Sequence, residues 1–228
     1  MIGILDSGIG GENVAKEVRR LYPMLDILLL KDTKNAPYGT KSREELIEIT
    51  ERNAKVLLDH GAHRVLIGCC TASCVWDSLS DKARKVTIPI IEPTAKLARQ
   101  YSKTGKIALI ATERTVKEGA FARALGKNLT FALPLQSLVA LVEEGARDGA
   151  LSREGASFLD GILEPLAVSG ADTLILGCTH FSSLEYEILK RVKKYGIENT
   201  VSPTLAAAKV LGNSPVAKLQ QRGLTINI

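Results

Sequence analysis

The sequence predicts an α/β protein of two similar domains, each a mostly parallel sheet flanked by helices, with an active site in the interdomain cleft. Three observations carry this. Short aliphatic runs alternate with longer amphipathic stretches, the pattern of strands covered by helices. The segment Gly61-Ala62-His63-Arg64-Val65-Leu66-Ile67-Gly68-Cys69 recurs as Gly170-Ala171-Asp172-Thr173-Leu174-Ile175-Leu176-Gly177-Cys178, 109 residues further on in a chain of 228. Both copies end in a cysteine just past a buried strand, the end at which open α/β sheets bind ligands.

Taken in order, the first strand falls at 2–5 and stops at Asp6-Ser7. The glycine-rich turn Gly8-Ile9-Gly10-Gly11 then opens a helix over 11–21, whose backbone amides could hold a carboxylate. That turn lacks the third glycine of a dinucleotide fingerprint. A second strand at 26–31 ends in Asp32 and the turn Pro37-Tyr38-Gly39, which either reaches a ligand or simply reverses the chain. A helix at 42–59 leads to the first repeat, with its strand at 64–68, and strand 87–91 follows. The run from Pro89 to Pro93 is where the chain crosses to the second half. There, strands at 106–111 and 172–177 are interleaved with helices at 93–101, 115–125, 136–146, 152–168 and 183–194. A last helix at 204–211 packs back on the first half. The domains are accordingly 1–91 with 204–228, and 92–203.

Composition narrows the function classes. With 45% apolar and 24% charged residues, the chain reads as a soluble globular protein. No apolar run approaches the roughly 20 residues of a membrane span. The opening Met-Ile-Gly-Ile-Leu-Asp has no basic region ahead of an apolar one, so a cytoplasmic location is expected. The net charge of +5 is dispersed among acidic residues. It forms no basic stripe, so neither a nucleic-acid nor a membrane partner is expected. The four cysteines, Cys69, Cys70, Cys74 and Cys178, are read as thiols.

The two strand-end cysteines point to chemistry. Taken singly, each reads as a small buried hydrophobe. As a pair in repeated contexts they suit a reaction needing a base on one face of a carbon and an acid on the other, such as racemisation. Thr71 and Ser73 after Cys69, and a capping-box spacing of Ser182 and Glu185 after Cys178, place both thiols near helix starts, which would lower their pKa. His180, two residues past Cys178, is placed to tune a thiol or carboxylate. A competing reading gathers the four cysteines and His180 into a metal or thiol-redox site in a non-enzymatic sensor, although no C-x-x-C pair is present.

Five ordered blocks, Asp6 to Gly11, Asp32-Thr33 with Pro37-Tyr38-Gly39, Cys69 with Thr71-Ala72-Ser73, Leu138 to Gly145, and Leu176 to His180, resemble those of the glutamate racemases, within the aspartate/glutamate racemase superfamily. The resemblance implies a two-domain enzyme that interconverts L- and D-glutamate without pyridoxal phosphate or metal. Such an enzyme would supply D-glutamate for peptidoglycan, and a homodimer is expected. The resemblance implies Cys69 and Cys178 as the acid/base pair, with Asp6, His180 and Glu143 assisting. Ser7, Tyr38, Gly39, Cys70, Thr71 and Thr179 fall where the family grips the amino acid. Cys70 stands where the family usually has asparagine, which keeps aspartate racemase as the alternative within the class.

Overall fold

The computed structural model describes residues 1–145 and 150–212. They form two four-stranded, wholly parallel sheets. The first comprises β1 (Ile2–Asp6), β2 (Ile27–Lys31), β3 (Arg64–Ile67) and β4 (Thr87–Pro89), in the order β2-β1-β3-β4. The second comprises β5 (Ile107–Ala111), β6 (Leu129–Pro134), β7 (Thr173–Gly177) and β8 (Asn199–Val201), in the order β6-β5-β7-β8. The two orders are the same topology used twice. The repeated segments found in the sequence are β3 and β7, at equivalent central positions.

The central strands are continuous apolar runs because helices cover both faces of a parallel sheet. Every residue of β1, β5 and β7 is buried. Each fully buried Leu or Ile contributes about 1.5–3 kcal/mol of transfer free energy. The covering helices are α1 (Gly10–Leu21), α2 (Arg43–Asp59), the short α3 (Cys70–Ser73) and α4 (Asp81–Val86), and α5 (Ile91–Tyr101). Next come α6 (Glu113–Glu118), α7 (Ala120–Leu125), α8 (Gln136–Glu143), α9 (Arg153–Leu163), α10 (Glu185–Val192) and α11 (Pro203–Gly212). Helix α2 starts on a reciprocal capping box between Ser42 and Glu45.

Several expectations are corrected. The single helix at 115–125 is two, α6 and α7, broken at Gly119, whose φ of +66° is left-handed. The helix at 152–168 gives way at Glu164 to a 3-10 segment. The helix at 136–146 stops at Glu143, and residue 146 lies outside the described residues. Strands β6 and β8 were not expected. Both lie at sheet edges, and each pairs on one side only, so neither shows the buried aliphatic pattern.

Helix α11 covers the expected 204–211 with one further residue at each end. Its Ala206, Ala207, Ala208 and Leu211 share one core with Val14, Ala15 and Val18 of α1 and with Ala95, Leu97 and Ala98 of α5. Residues 213–228 of the expected return lie outside the described residues. Among the described residues no helix is long and apolar enough to cross a membrane.

Candidate functional site

The carboxyl ends of both sheets face one cavity of about 620 Å³. Because β3 and β7 are equivalent strands, the residues that leave them, Cys69 and Cys178, arrive from opposite halves, and both line this cavity. They are 6% and 7% exposed, so both cysteines are nearly buried at the cavity wall. Ser7, Tyr38, Gly39, Thr71, Glu143 and His180 also line it. Asp6, Cys70 and Thr179 are not among the lining residues. Cys70 belongs to the apolar core that also holds Ile90 and Ala95.

Each thiol has its own hydrogen-bonding set. Cys69 Sγ lies 3.8 Å from the Ser7 hydroxyl. Cys178 Sγ lies 3.7 Å from His180 Nδ1, and His180 Nε2 lies 2.8 Å from Glu143 Oε1, so thiol, imidazole and carboxylate form a line. Asp6 is completely buried behind the wall, accepting from the Gly8 amide at 3.0 Å and the Thr179 hydroxyl at 3.0 Å. The carboxylate that the glycine-rich turn holds is therefore the protein's own. Burial raises the Asp6 pKa, against the opposing pull of His180 and these donors.

The expected lowering of the thiol pKa values does not occur. Burial, followed by the charge of Asp6, pushes Cys69 up to about 11, against the amides of Ala72 and Thr71 and the Ser7 hydroxyl. Burial, followed by the charge of Cys69, pushes Cys178 above the ordinary thiol range. The physical reason is that desolvation outweighs the helix-start amides, which are few. Helix α3 has one turn, and Cys178 leads into a 3-10 segment, Thr179–Leu184. The expected capping box is also absent: Ser182 bonds the Ser202 hydroxyl, and Glu185 accepts from Thr200.

The Tyr38 turn is fixed from behind. Asp32 accepts from the Tyr38 hydroxyl at 2.8 Å and from Asn53 at 2.7 Å, so it anchors the turn and does not line the cavity. Burial would raise the Asp32 pKa, but the donors Asn53, Asn35 and Tyr38 outweigh it and hold the carboxyl below its usual value. Thr71 from the first half meets Thr112 and Thr115 from the second in a triangle of hydroxyls at 3.1, 3.1 and 2.9 Å. Thr112 lines the cavity and follows β5 as Asp6-Ser7 ends β1. Extending the internal repeat from β3/β7 to β1/β5 would have found it. Gln136, also at the wall, carries no such signal in the sequence.

The halves are stitched together beside the thiols. Asn13 of α1 donates to the Thr179 carbonyl and the Ser183 hydroxyl, both at 3.0 Å. Gly10 lies so close to Thr179 that a β-carbon there would stand 2.1 Å from Oγ1. Gly10→Ala should therefore push α1 off the second half. Overpacking of this kind costs about 1–3 kcal/mol. At about 2–4 °C per kcal/mol for a protein of this size, a thermal melt should show a drop of several degrees. An unchanged melt would mean that this approach is not tight.

Among the described residues, no group of three or more His, Cys, Asp or Glu is placed to hold a metal ion, the arrangement that the metal form of the sensor reading required.

Comparison with known proteins identifies the family. The family model for Asp/Glu/hydantoin racemases matches residues 13–211. A glutamate racemase of Desulforudis audaxviator is 41% identical over 196 residues, which cover 84% of this chain and 70% of that relative. The crystal structure of a glutamate racemase isoform from Bacillus anthracis superposes with a TM-score of 0.84 at 30% identity, covering 98% of this chain and 82% of that one. The glutamate racemase of Francisella tularensis, solved with D-glutamate, has a TM-score of 0.82 at 27% identity, covering 100% and 83%.

Proposed function

Since this chain belongs to the Asp/Glu/hydantoin racemase family and is an amino-acid racemase of the glutamate racemase type, we propose that it interconverts L- and D-glutamate by a two-thiol proton transfer between Cys69 and Cys178. The observation that carries this reading is the arrival of both thiols in one cavity from equivalent strands of the two halves. One thiolate removes the α-proton and becomes a thiol. The electron pair left on carbon spreads into the α-carboxylate, and the opposite thiol gives its proton to the other face, becoming a thiolate. The substrate is inverted, and the protonation states of the two cysteines are exchanged.

The raised thiol pKa values set the protein's task. Both sulfurs are held mostly as thiols at neutral pH, so a neighbour must hold the proton when a thiolate forms. His180, braced by Glu143, serves Cys178, and Asp6 serves the cluster from behind through Gly8 and Thr179. Ser7, Tyr38, Gly39 and Thr71 hold the amino acid, and Cys70 and Thr179 support that wall from behind. No pyridoxal phosphate or metal takes part in this reading. The electrophilic work falls to amides and hydroxyls in a dry pocket, where they act most strongly. The domains we assign are 1–91 with 204–228, and 92–203. The enzyme would act in the cytoplasm as a homodimer, which sedimentation would show as twice the chain mass, and its D-glutamate would enter peptidoglycan.

The deciding experiment incubates chelator-treated protein with L-glutamate, and separately with L-aspartate, in D2O, following optical rotation and α-deuteration. Loss of rotation with deuterium uptake on glutamate is expected. The same on aspartate alone would make the chain an aspartate racemase, and neither on folded protein would sink the reading. With the Cys69 pKa at about 11, the thiolate fraction grows as protons are withdrawn, by up to about tenfold per pH unit below the pKa. Hence kcat/KM should rise from about pH 7 to about pH 9, and a flat or falling profile would contradict the thiolate base.

A further inference from the structure

Gln136 is the first residue of α8, and its side chain lines the cavity from the second half. Its Oε1 atom is shielded from solvent and accepts no hydrogen bond among the described residues. A buried amide carbonyl without a donor bears its full desolvation penalty, and native structures keep few of them. The amide is also confined. It packs across the cleft on Gly39, where a β-carbon would stand 2.3 Å from Oε1 and 3.1 Å from Nε2. Gly39 thus leaves room for the carboxamide beside the Tyr38 turn.

Several other polar groups at the wall already have protein partners. Glu143 is bonded to His180, Ser7 faces Cys69, and Thr71 and Thr112 bond each other and Thr115. Asp6 lies behind the wall, occupied by Gly8 and Thr179. An α-amino acid brings an ammonium with three donors into this space, and each needs an acceptor once water is excluded. We infer that Gln136 is a substrate-binding residue whose carboxamide oxygen accepts a hydrogen bond from the substrate ammonium. This rests on the amino-acid racemase reading above.

The test pairs two near-isosteric substitutions, Gln136→Leu and Gln136→Met, with two ligands. Glutarate has the carboxylates of glutamate and no ammonium. KM for L-glutamate should rise about tenfold, the loss of one charge-assisted hydrogen bond. We expect kcat to change by less than about threefold, with the melting temperature held. The inhibition constant of glutarate, and its Kd by calorimetry, should stay within about twofold of the unsubstituted values. Equal weakening of glutarate would reduce Gln136 to a packing residue, and an unchanged KM would remove it from the binding set; either overturns the assignment. Absence of racemisation by the unsubstituted protein would instead overturn the reading of function, a failure visible before any variant is made.

Discussion

Replacement of either thiol by serine should abolish racemisation, with a fall of about 10³-fold or more in kcat/KM, while the protein stays folded. A hydroxyl has nearly the volume of the thiol, so packing at these buried positions is preserved. What is lost is the base: serine does not ionise in the range where even a thiol held at about 11 can. The double variant should be little worse than either single one, because residues that act as one unit are not additive. The two singles should nevertheless differ in D2O. The thiolate that remains can remove and return the α-proton of the enantiomer it faces, giving exchange without inversion. Cys69→Ser and Cys178→Ser should therefore each deuterate one enantiomer, and opposite ones. Nuclear magnetic resonance of the recovered amino acid would read this directly, and retained racemisation in either variant would rule out the two-thiol mechanism.

The second large effect is expected at His180. It touches only one of the two sulfurs, at 3.7 Å, with Glu143 at 2.8 Å on its far side. His180→Asn removes the group that holds the proton of Cys178, and a positioned acid/base is worth about 10²–10⁴-fold. Enantiomers in achiral solvent have equal free energies, so kcat/KM must fall by the same factor in both directions. The asymmetry instead appears in the individual kcat values and in the isotope effects. Proton abstraction by Cys178 should become rate-limiting, so the α-deuterium isotope effect should rise for one enantiomer and not for the other. Equal isotope effects would mean that the imidazole only shapes the wall. Glu143→Gln should follow the same pattern at about a tenth of the size, because its effect passes through the imidazole.

How much of this was legible in the sequence depended on burial. Strands β1, β3, β5 and β7 lie at the centres of their sheets, and their unbroken aliphatic runs announce them. Strands β6 and β8 are edges, and Leu129–Pro134 alternates too weakly to read as either strand or helix. The arrival of Cys69 and Cys178 at one cavity was legible because the repeat carries both, and the same symmetry extends to Thr112. Gln136 and the hydroxyl triangle were not, because they depend on how the halves meet, which no local pattern encodes. The thiol pKa values were misjudged for a related reason. The sequence displays helix-starting residues, but desolvation is a property of the assembled cavity.

The placement of α11 has a consequence for how the protein comes into being. On the ribosome, the β1-β2-β3-β4 sheet emerges first, yet the part of α1 and α5 that packs on Ala206, Ala207, Ala208 and Leu211 is covered only after the whole second half has been made. Until then that part of their apolar surface stays open to water. The half that is synthesised first is finished last, and contacts of such long sequence separation make slow folding steps.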